Sequence, residues 1–390
     1  MYKVRTYNQI SSKGLDCFPH EQYEIASEFA EPDAFLLRSQ KLHGEEIPRS
    51  VKAVARAGAG TNNIPIDEYT QKGIVVFNTP GANANAVKEL IASALFLSSR
   101  DIFGGMSYVQ GLSEIKDGSE MSKLLEKQKK QFAGCEVAGK TLGVVGLGAI
   151  GSLVANMALE LGMNVAGYDP AISVEAAWRL SSSVKKMDNL QSLLAVSDFI
   201  TLHVPALEIT RHLINAETLR CVKPTAVLLN FAREEVVDTS AVLEALDAGQ
   251  LGKYTTDFPT PELLNRSDVL LMPHIGASTE EAEENCAIMA ARQLMDYLEN
   301  GNIQNSVNFP ATKMPRNGGY RITFCNENVP KVLGSVLSLL ADRSMNVIDM
   351  VNKSRDDIAY SIVDVETQPS EELLDEISNV EGIIIVRAIA

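Results

Sequence analysis

The segment 141–151, TLGVVGLGAIG, constrains the fold more than any other part of the chain. A continuous apolar strand pattern at 142–145 passes directly into the glycine motif GLGAIG at 146–151, and a helix pattern follows. The first two glycines allow a tight turn and the close approach of a pyrophosphate, and N–H groups at the helix N-terminus receive its negative charge. The last glycine, Gly151, lets the helix pack close to the strand. The segment therefore predicts a dinucleotide-binding α/β unit.

An acidic residue at the end of the next strand refines this prediction. Asp169 lies 18 residues after Gly151, in the sequence VAGYDP. A carboxylate at this position accepts hydrogen bonds from an adenosine ribose and repels a 2′-phosphate. The sequence therefore favours NAD over NADP as the cofactor.

Apolar strand patterns recur on both sides of the glycine motif and alternate with helix patterns. The further strands are predicted at 34–37, 51–55, 74–77, 165–168, 199–203, 226–230, 253–257 and 269–272. Long amphipathic helices are predicted at 85–99 and 279–300. This alternation is typical of parallel sheets covered by helices on both faces. The predicted fold class is therefore α/β, with two Rossmann-like doubly wound lobes.

A smaller module is predicted at the C-terminal end. Residues 301–317 lose periodicity and carry two prolines, which indicates a linker. The pattern beyond it is strand, helix, strand, strand, helix and strand, at 320–324, 331–343, 347–352, 359–365, 370–379 and 383–388. The order βαββαβ is ferredoxin-like.

Composition and charge exclude several classes of function. The 390 residues carry a net charge of −15, which disfavours a nucleic-acid partner because an acidic surface repels phosphates. No 18-residue apolar run or signal-peptide pattern is present, so we expect a folded cytoplasmic protein with no membrane partner. The five cysteines lack CxxC spacing, which argues against a disulfide framework and against a metal site.

Three chemically active residues follow predicted strands, at the edge where open α/β sheets bind ligands. Oxidation of an alcohol by hydride transfer needs a base for the hydroxyl proton, and His274 in MPHIGAST is the candidate. Glu262 in TDFPTPE is the candidate partner that orients its imidazole. Arg233 in NFAREEVVD can grip a carboxylate through two parallel hydrogen bonds.

The motifs GLGAIG, YDP, HVP, NFAR and PHIGAST, in this order, resemble those of the D-isomer-specific 2-hydroxyacid dehydrogenase family. The segment ARAGAGTNNIP before them and a C-terminal module similar to an ACT domain resemble the branch that acts on 3-phosphoglycerate. The resemblance implies an interrupted first lobe and an active site in a cleft. It also implies NAD-dependent oxidation of 3-phosphoglycerate to 3-phosphohydroxypyruvate, the first step of L-serine biosynthesis.

The resemblance sets domain boundaries and a catalytic set. It implies a substrate-binding lobe of 1–92 and 283–305, an NAD-binding domain of 93–282, a linker of 306–318 and an ACT regulatory domain of 319–390. The family's catalytic Arg, Glu and His correspond to Arg233, Glu262 and His274. The chain departs from the family pattern twice: Glu234 follows the arginine in place of glycine, and Leu263 follows the glutamate in place of proline.

The same resemblance implies further contacts. Those to the cofactor are made by Gly146, Gly148, Ala149, Ile150, Gly151, Asp169, His203, Val204, Pro205, Thr210, Phe231, Ala232, Asp257 and Gly276. Those to the substrate are made by Arg38, Ser39, Arg56, Ala57, Gly58, Asn85 and Lys129. Lys127 and Lys130 share the basic run of Lys129 and offer alternative phosphate contacts, or the run is a solvated helix face. Asn85 is alternatively a helix N-cap, and His203 is expected to be structural rather than a second base.

The C-terminal module carries an expectation about regulation. Asn326, Asn328 and Asn346 resemble positions that bind L-serine as an effector, since a carboxamide offers the donors and the acceptor that a zwitterion requires. Lys331 stands where the family commonly has glycine, so a purely structural dimerisation module is the alternative. A homodimer or homotetramer is expected.

Two other functions compete with this interpretation. A glyoxylate or hydroxypyruvate reductase would share the fold but would need fewer cations and no ACT-like module. A non-enzymatic NAD-sensing corepressor would share the central lobe but would need a groove for a partner peptide. Side activity on 2-oxoglutarate would fit the main interpretation, because a second carboxylate can imitate a phosphate.

Overall fold

The computed structural model describes residues 1–389, except for the side chain of residue 175, and residue 390, at the end of the predicted ACT domain, lies outside the described part. The chain begins with a five-stranded parallel sheet in the order β2-β1-β3-β4-β5. Its elements are β1 (Tyr2–Thr6), α1 (Ser12–Leu15), β2 (Tyr23–Ala26), β3 (Ala34–Leu37), β4 (Ala53–Arg56), α2 (Ile66–Gln71) and β5 (Val75–Phe77). The three strands predicted here are confirmed. β1 and β2 were not predicted, because each has a single buried residue among polar or partly exposed ones.

Residues 84–278 form a compact unit around a seven-stranded parallel sheet in the order β12-β11-β10-β9-β6-β7-β8. It opens with α3 (Ala84–Ser99), α4 (Ile102–Gln110) and α5 (Gly118–Gln128). The elements that follow are β6 (Thr141–Val145), α6 (Ala149–Glu160), β7 (Asn164–Tyr168), α7 (Val174–Arg179), β8 (Lys185–Lys186), α8 (Leu190–Val196), β9 (Phe199–Leu202), α9 (Ala216–Leu219), β10 (Val227–Asn230), α10 (Thr239–Asp247), β11 (Lys253–Thr256) and β12 (Val269–Leu271). The predicted strands of this unit are confirmed.

The carboxyl ends of the strands in this second sheet are level with one another. Tyr168 pairs with Val145, Val145 with Leu202 and Leu202 with Asn230. Asn230 pairs in turn with the last residue of β11, and that residue pairs with the last residue of β12. Residues that follow these strands therefore emerge along a single edge, and the strand order reverses between β6 and β9, where such sheets bind nucleotides.

The chain continues into α11 (Glu280–Asn300), which starts at the predicted position. The Thr279 hydroxyl accepts a hydrogen bond from the backbone N–H of Ala282 at its N-terminus, and Gly301 ends the helix in the left-handed conformation. The helix packs in the same compact unit as residues 1–83, and its buried residues contribute to the core beneath the first sheet.

A four-stranded antiparallel sheet completes the chain. Its elements are β13 (Tyr320–Glu327), α12 (Val332–Asp342), β14 (Val347–Arg355), β15 (Ile358–Val365), α13 (Glu371–Ser378) and β16 (Ile383–Ile389). The strand order is β14-β15-β13-β16, and both helices pack on one face over a shared apolar core. The predicted ferredoxin-like βαββαβ order is confirmed, as is the α/β fold class of the whole chain.

The segment between α11 and β13 is packed, although it lacks regular structure. Ile303, Phe309 and Met314 are buried in the core that also holds Tyr297. Non-local interactions hold it there, since Asn308 accepts from the N–H of Val76 at 2.9 Å. The described residues form two compact units, 84–278 and the remainder, and the predicted domain boundaries stay predictions. Within the described chain, no helix has the length and apolar character required to span a bilayer.

Candidate active site

The glycine motif leaves room for a nucleotide on one side only. Gly146 has a φ of +89°, and a Cβ added to it would lie 2.7 Å from the carbonyl oxygen of His203. A Cβ on Gly151 would lie 1.9 Å from the carbonyl oxygen of Gly146. Gly148, in contrast, would meet no atom within 4 Å, so it faces open space. The first and last glycines are required by packing, and the middle one borders the space where a ligand could approach the backbone.

The helix that follows offers an anion-binding terminus. Gly148 is the N-cap of α6 and provides no side-chain cap, so no cap side chain competes with a ligand for the first N–H groups of the helix. Asp169 sits next to this terminus. Its Oδ2 atom accepts from the N–H of Leu147 at 2.8 Å, and its Oδ1 atom accepts from the N–H of Ala171 at 2.9 Å. These features fit a dinucleotide, with the pyrophosphate at the helix and the ribose at the carboxylate.

His203 lies against this loop and is neutral. Burial lowers the pKa of His203 to about 3. Its Nε2 atom lies 3.0 Å from the hydroxyl of Thr201, and among the described residues its buried Nδ1 atom has no hydrogen-bond partner. The structural role and the cofactor contact predicted for His203 both stay predictions.

The neighbouring loop contains the other residues predicted to border the cofactor. The Thr210 hydroxyl donates to the carbonyl of Pro205 at 2.6 Å and accepts from the N–H of Leu207 at 2.8 Å. Val204 is half-buried at the start of this turn. Phe231 and Ala232, the two residues that directly follow β10, are both buried. The hydroxyl of Thr210 is thus used within the loop itself.

Arg233 follows the same strand and is half-buried. Its Nη1 atom donates to the carbonyl of Ala232 at 2.6 Å, and its own carbonyl accepts from Asn230 Nδ2 at 3.0 Å. Glu234 begins a short 3-10 helix, Glu234–Val236, and is exposed. The acidic residue that replaces the family's glycine therefore lies on the surface beside an arginine with several N–H groups left to bind a carboxylate.

His274 lies in a strained and supported turn. Its φ of +56° is in the left-handed region, and its ring meets that of Phe258 edge-on at 5.0 Å. The carboxylate of Asp257, buried at the end of β11, accepts from the N–H of Ile275 at 3.0 Å and from that of Gly276 at 2.9 Å. Asp257 therefore anchors the two residues that follow His274, a role that the sequence did not indicate.

Glu262 is not joined to His274 in this structure. It is exposed in the 3-10 helix Pro261–Leu263. Its own backbone N–H, followed by the Thr260 hydroxyl, lowers the pKa of Glu262. Over residues 1–389, no hydrogen bond or ion pair connects the Glu262 carboxylate with the His274 imidazole. The partnership between the two residues stays a prediction.

Residues predicted to bind the substrate follow neighbouring strands of the first sheet. Leu37 pairs with Arg56 across β3 and β4, so Arg38 and Arg56 lie at the same edge. Arg56 Nε donates to the carbonyl of Arg38 at 2.9 Å, and Arg38 Nη1 pairs with Glu283 Oε1 at 2.6 Å. Glu283 was not predicted, because 245 positions separate it from Arg38 and no local pattern connects them.

The remaining substrate residues of this first sheet are held by backbone hydrogen bonds. The N–H of Ser39 donates to Asn8 Oδ1 at 3.0 Å, and the buried Ala57 donates to the carbonyl of Leu37 at 2.8 Å. The carbonyl of Gly58 accepts from the N–H of Thr79 at 3.1 Å. The Ala57–Gly58 backbone is therefore fixed on both sides.

Asn85 and Lys129 belong to the unit of residues 84–278, and the side chain of each interacts with residues close to it in sequence. Asn85 is inside α3 and is not its N-cap, and its Nδ2 atom donates to Glu89 Oε1 at 2.8 Å while Lys88 donates to its Oδ1 atom. Lys129 is exposed and pairs with Glu126 at 2.5 Å. The neighbouring Lys127 and Lys130 are also exposed. Their predicted contacts to the substrate stay predictions.

The three asparagines of the C-terminal module each have a local partner. Asn326 is buried and its Nδ2 atom donates to the carbonyl of Glu327 at 2.6 Å. Asn328 Nδ2 donates to the carbonyl of Asp356 at 3.1 Å. Asn346 Nδ2 donates to Glu366 Oε1 at 2.8 Å. Lys331, next to this loop, adopts a φ of +80°, which explains why glycine is favoured there.

The level sheet edge, the glycine loop and the carboxylate beside it define a Rossmann-type dinucleotide-binding protein. The model of the NAD-binding domain of D-isomer-specific 2-hydroxyacid dehydrogenases matches residues 106–276. D-3-phosphoglycerate dehydrogenase of Haemophilus influenzae is 33% identical over 342 residues, which cover 85% of this chain and 79% of that protein. The chain belongs to the D-isomer-specific 2-hydroxyacid dehydrogenase family. Residues 106–276 match the family's NAD-binding domain, and the boundaries 93–282 stay a prediction.

Two further comparisons place the chain within its relatives. D-3-phosphoglycerate dehydrogenase of Synechocystis sp. is 36% identical over 329 residues, which cover 80% of this chain but only 56% of that protein. The chain thus spans little more than half the length of that relative. A crystal structure of NAD⁺-bound 3-phosphoglycerate dehydrogenase from Entamoeba histolytica superimposes with a TM-score of 0.61 at 26% identity, over 79% of this chain and 98% of that one.

Proposed function

We propose that the protein oxidises the C2 hydroxyl of 3-phosphoglycerate to 3-phosphohydroxypyruvate with NAD, the first step of L-serine biosynthesis. The observation that carries this proposal is the level edge of the second sheet, from which Asp169, Arg233 and His274 all emerge. The names of the relatives from Synechocystis and Haemophilus support the same reaction.

The chain's own residues suit the binding of NAD. Gly148 and the N-terminus of α6 would hold the pyrophosphate, and Asp169 would accept from the adenosine ribose. When bound, the nicotinamide supplies an acceptor for the hydride that leaves C2 of the substrate. The open side of Gly148 gives this ligand access to the backbone.

Acid–base and charge chemistry fall to two residues. His274 takes the hydroxyl proton as C2 becomes a carbonyl carbon, and returns it in the reverse reaction. Arg233 holds the substrate carboxylate and polarises the developing carbonyl, because its planar guanidinium fits both oxygens. Glu262, once oriented toward the imidazole, favours its protonated form. Asp257 keeps the His274 turn in place through the hydrogen bonds that it accepts from two backbone N–H groups.

The substrate phosphate needs further cations. Arg38 directly follows β3 and Arg56 ends the neighbouring β4, so the two residues supply two guanidinium groups on one edge. Glu283 fixes the position of Arg38. A pair of arginines of this kind favours a substrate with two anionic groups over glyoxylate, which has a single carboxylate.

Regulation and assembly form part of the proposal. The ferredoxin-like module acts as an ACT domain, with L-serine as an effector near Asn326, Asn328 and Asn346. The chain forms a homodimer or homotetramer in the cytoplasm. Exposed apolar side chains on α4 favour self-association, since Phe103 is 56% and Met106 is 61% exposed.

The test follows NADH formation from NAD and 3-phosphoglycerate at alkaline pH, with the keto product trapped. His274→Ala should lower kcat by a factor of about 10² to 10⁴ while NADH binding, measured by fluorescence, is retained. The matched control is His20→Ala, because His20 is exposed in the first part of the chain. Reduction of glyoxylate or hydroxypyruvate with no activity on 3-phosphoglycerate would refute the substrate. NADH binding with no turnover of any of these compounds would refute the enzyme.

A further inference from the structure

A cavity lies in the unit of residues 1–83 and 279–389, and none of the residues assigned above to the cofactor or the substrate lines it. It has a volume of about 630 Å³, in the range of small-molecule sites, and is formed by α11, by the loop at Gly81 and by residues 302–305. Five carboxamide side chains line it, together with one guanidinium and one carboxylate. The carboxamides are those of Asn285, Gln293, Asn302, Gln304 and Asn305.

The two charged residues of this cavity are close in sequence but do not pair. Arg292 and Asp296 are four positions apart on α11, a spacing at which opposite charges usually interact. Instead, Asp296 Oδ1 accepts from Asn300 Nδ2 at 3.0 Å and from Asn302 Nδ2 at 2.9 Å. Among the side chains that the structure describes, none makes a hydrogen bond or an ion pair with the exposed guanidinium of Arg292. The cavity therefore presents an unpaired cation beside a carboxylate that is held in place by two amides.

We propose that this cavity, termed the α11 cavity, binds an α-amino acid with an uncharged polar side chain. Arg292 would receive the ligand's carboxylate and Asp296 its ammonium group, since each charge matches one end of the zwitterion. The exposed amides of Asn285 and Gln304 have no partner among the described residues and can bond a polar side chain. A ligand with a second charge would find no counter-charge in the lining.

Hydrogen bonds connect the α11 cavity with the loop proposed to bind substrate. Gln293 Nε2 donates to the carbonyl of Asn78 at 2.9 Å, and Asn78 Nδ2 donates to the carbonyl of Ala59 at 2.7 Å. Ala59 follows Gly58 in that loop. Occupancy of the cavity should therefore change the KM for substrate more than kcat. This second consequence rests on the proposed function, whereas binding itself does not.

Binding is tested by calorimetry on the full-length protein, with L-asparagine and L-glutamine as probes. Two analogues of asparagine serve as matched control ligands. Succinamate lacks the ammonium group, and 3-aminopropanamide lacks the carboxylate. We expect L-asparagine or L-glutamine to bind, and Arg292→Ala and Asp296→Asn each to weaken that binding about tenfold or more. Arg49→Ala is the matched control, because Arg49 is an exposed arginine of the same unit outside the cavity.

Several outcomes would overturn the inference. They are the absence of heat from both amino acids up to about 10 mM, equal binding of succinamate or 3-aminopropanamide, and unchanged binding in both cavity variants. A protein that binds the probe with the expected variant pattern but lacks activity on 3-phosphoglycerate would retain the site and lose the proposed reaction. A KM that does not respond to bound probe would remove only the coupling to the substrate loop.

Discussion

The carboxylate of Asp257 accepts hydrogen bonds from the backbone N–H groups of two consecutive residues, Ile275 at 3.0 Å and Gly276 at 2.9 Å. These are the residues directly after His274, whose φ of +56° is costly for a residue with a side chain. Because Asp257 is buried, its two bonds are shielded from water and hold the turn in this conformation. The proposed base thus owes its position to a residue on the neighbouring strand.

Asp257→Asn should therefore impair catalysis without removing any group that handles the proton. The new amide can accept at one oxygen only, and its NH₂ would face a backbone N–H. We expect the free energy of unfolding to fall by about 1–3 kcal/mol. We also expect kcat to fall by a larger factor than the factor by which KM rises. Urea unfolding and steady-state kinetics check this. Asp247→Asn, at an exposed carboxylate that pairs with Arg266, should change stability by no more than about 0.5 kcal/mol.

Substitution by alanine should affect different properties at the middle and last glycines of the motif, cofactor binding at Gly148 and stability at Gly151. Gly148→Ala adds a methyl group that meets no protein atom, so the variant should fold normally and bind NADH more weakly. Gly151→Ala would place its methyl group 1.9 Å from the carbonyl oxygen of Gly146, so it should unfold at a lower temperature. Thermal unfolding and NADH fluorescence titration separate the two effects. Equal losses of stability in both variants would contradict the assigned space beside Gly148.

Asp169 should set the preference for NAD. Its two bonds to the N–H groups of Leu147 and Ala171 hold it at the loop, and its charge opposes a 2′-phosphate. Asp169→Ser should raise the KM for NAD about tenfold and narrow the ratio of kcat/KM between NAD and NADP. The matched control is Asp188→Ser, at a surface aspartate of the same unit. An unchanged ratio would exclude Asp169 as the determinant of cofactor choice.

Local sequence patterns predicted the parts of the molecule that depend on neighbouring residues. The strand-to-helix glycine motif and the residues after each strand could be placed because their periodicity and spacing are local. The bonds from Asp257 to the His274 turn and from Arg38 to Glu283 could not, because they join distant segments whose contact exists only in the folded chain. The segment 301–317 was predicted to be a linker because it lacks periodicity, although non-local contacts pack it into a core.

His203 should make the fold sensitive to acid. Burial lowers the pKa of His203 from 6.5 to about 3, so between these values the unfolded chain binds a proton that the folded protein does not. The free energy of unfolding should therefore fall as the pH drops below about 6.5, by at most about 1.4 kcal/mol per pH unit. His203→Gln, which can still bond Thr201, should lose less stability between pH 7 and pH 5. Urea unfolding at both pH values, with His20→Gln as control, measures the difference.

Arg321 joins the C-terminal sheet to the chain that precedes it, and all five of its N–H donors are used. Nε and Nη2 donate to the Asp364 carboxylate at 2.7 and 2.8 Å. The other donors reach the carbonyls of Asn300, Met314 and Pro315 at 2.8–3.0 Å. Both charged side chains are fully buried. A lysine has three donors on a single nitrogen and cannot reproduce this planar arrangement.

Arg321→Lys should therefore leave buried acceptors unpaired and destabilise the protein by about 3 kcal/mol or more. Urea unfolding measures the loss. The same substitution at Arg343, which pairs with Glu376 on the surface, should cost no more than about 1 kcal/mol. Similar losses at the two positions would show that the buried network around Arg321 does not bind the C-terminal module to the rest of its unit. A selective loss at Arg321 would identify that network as the principal polar connection.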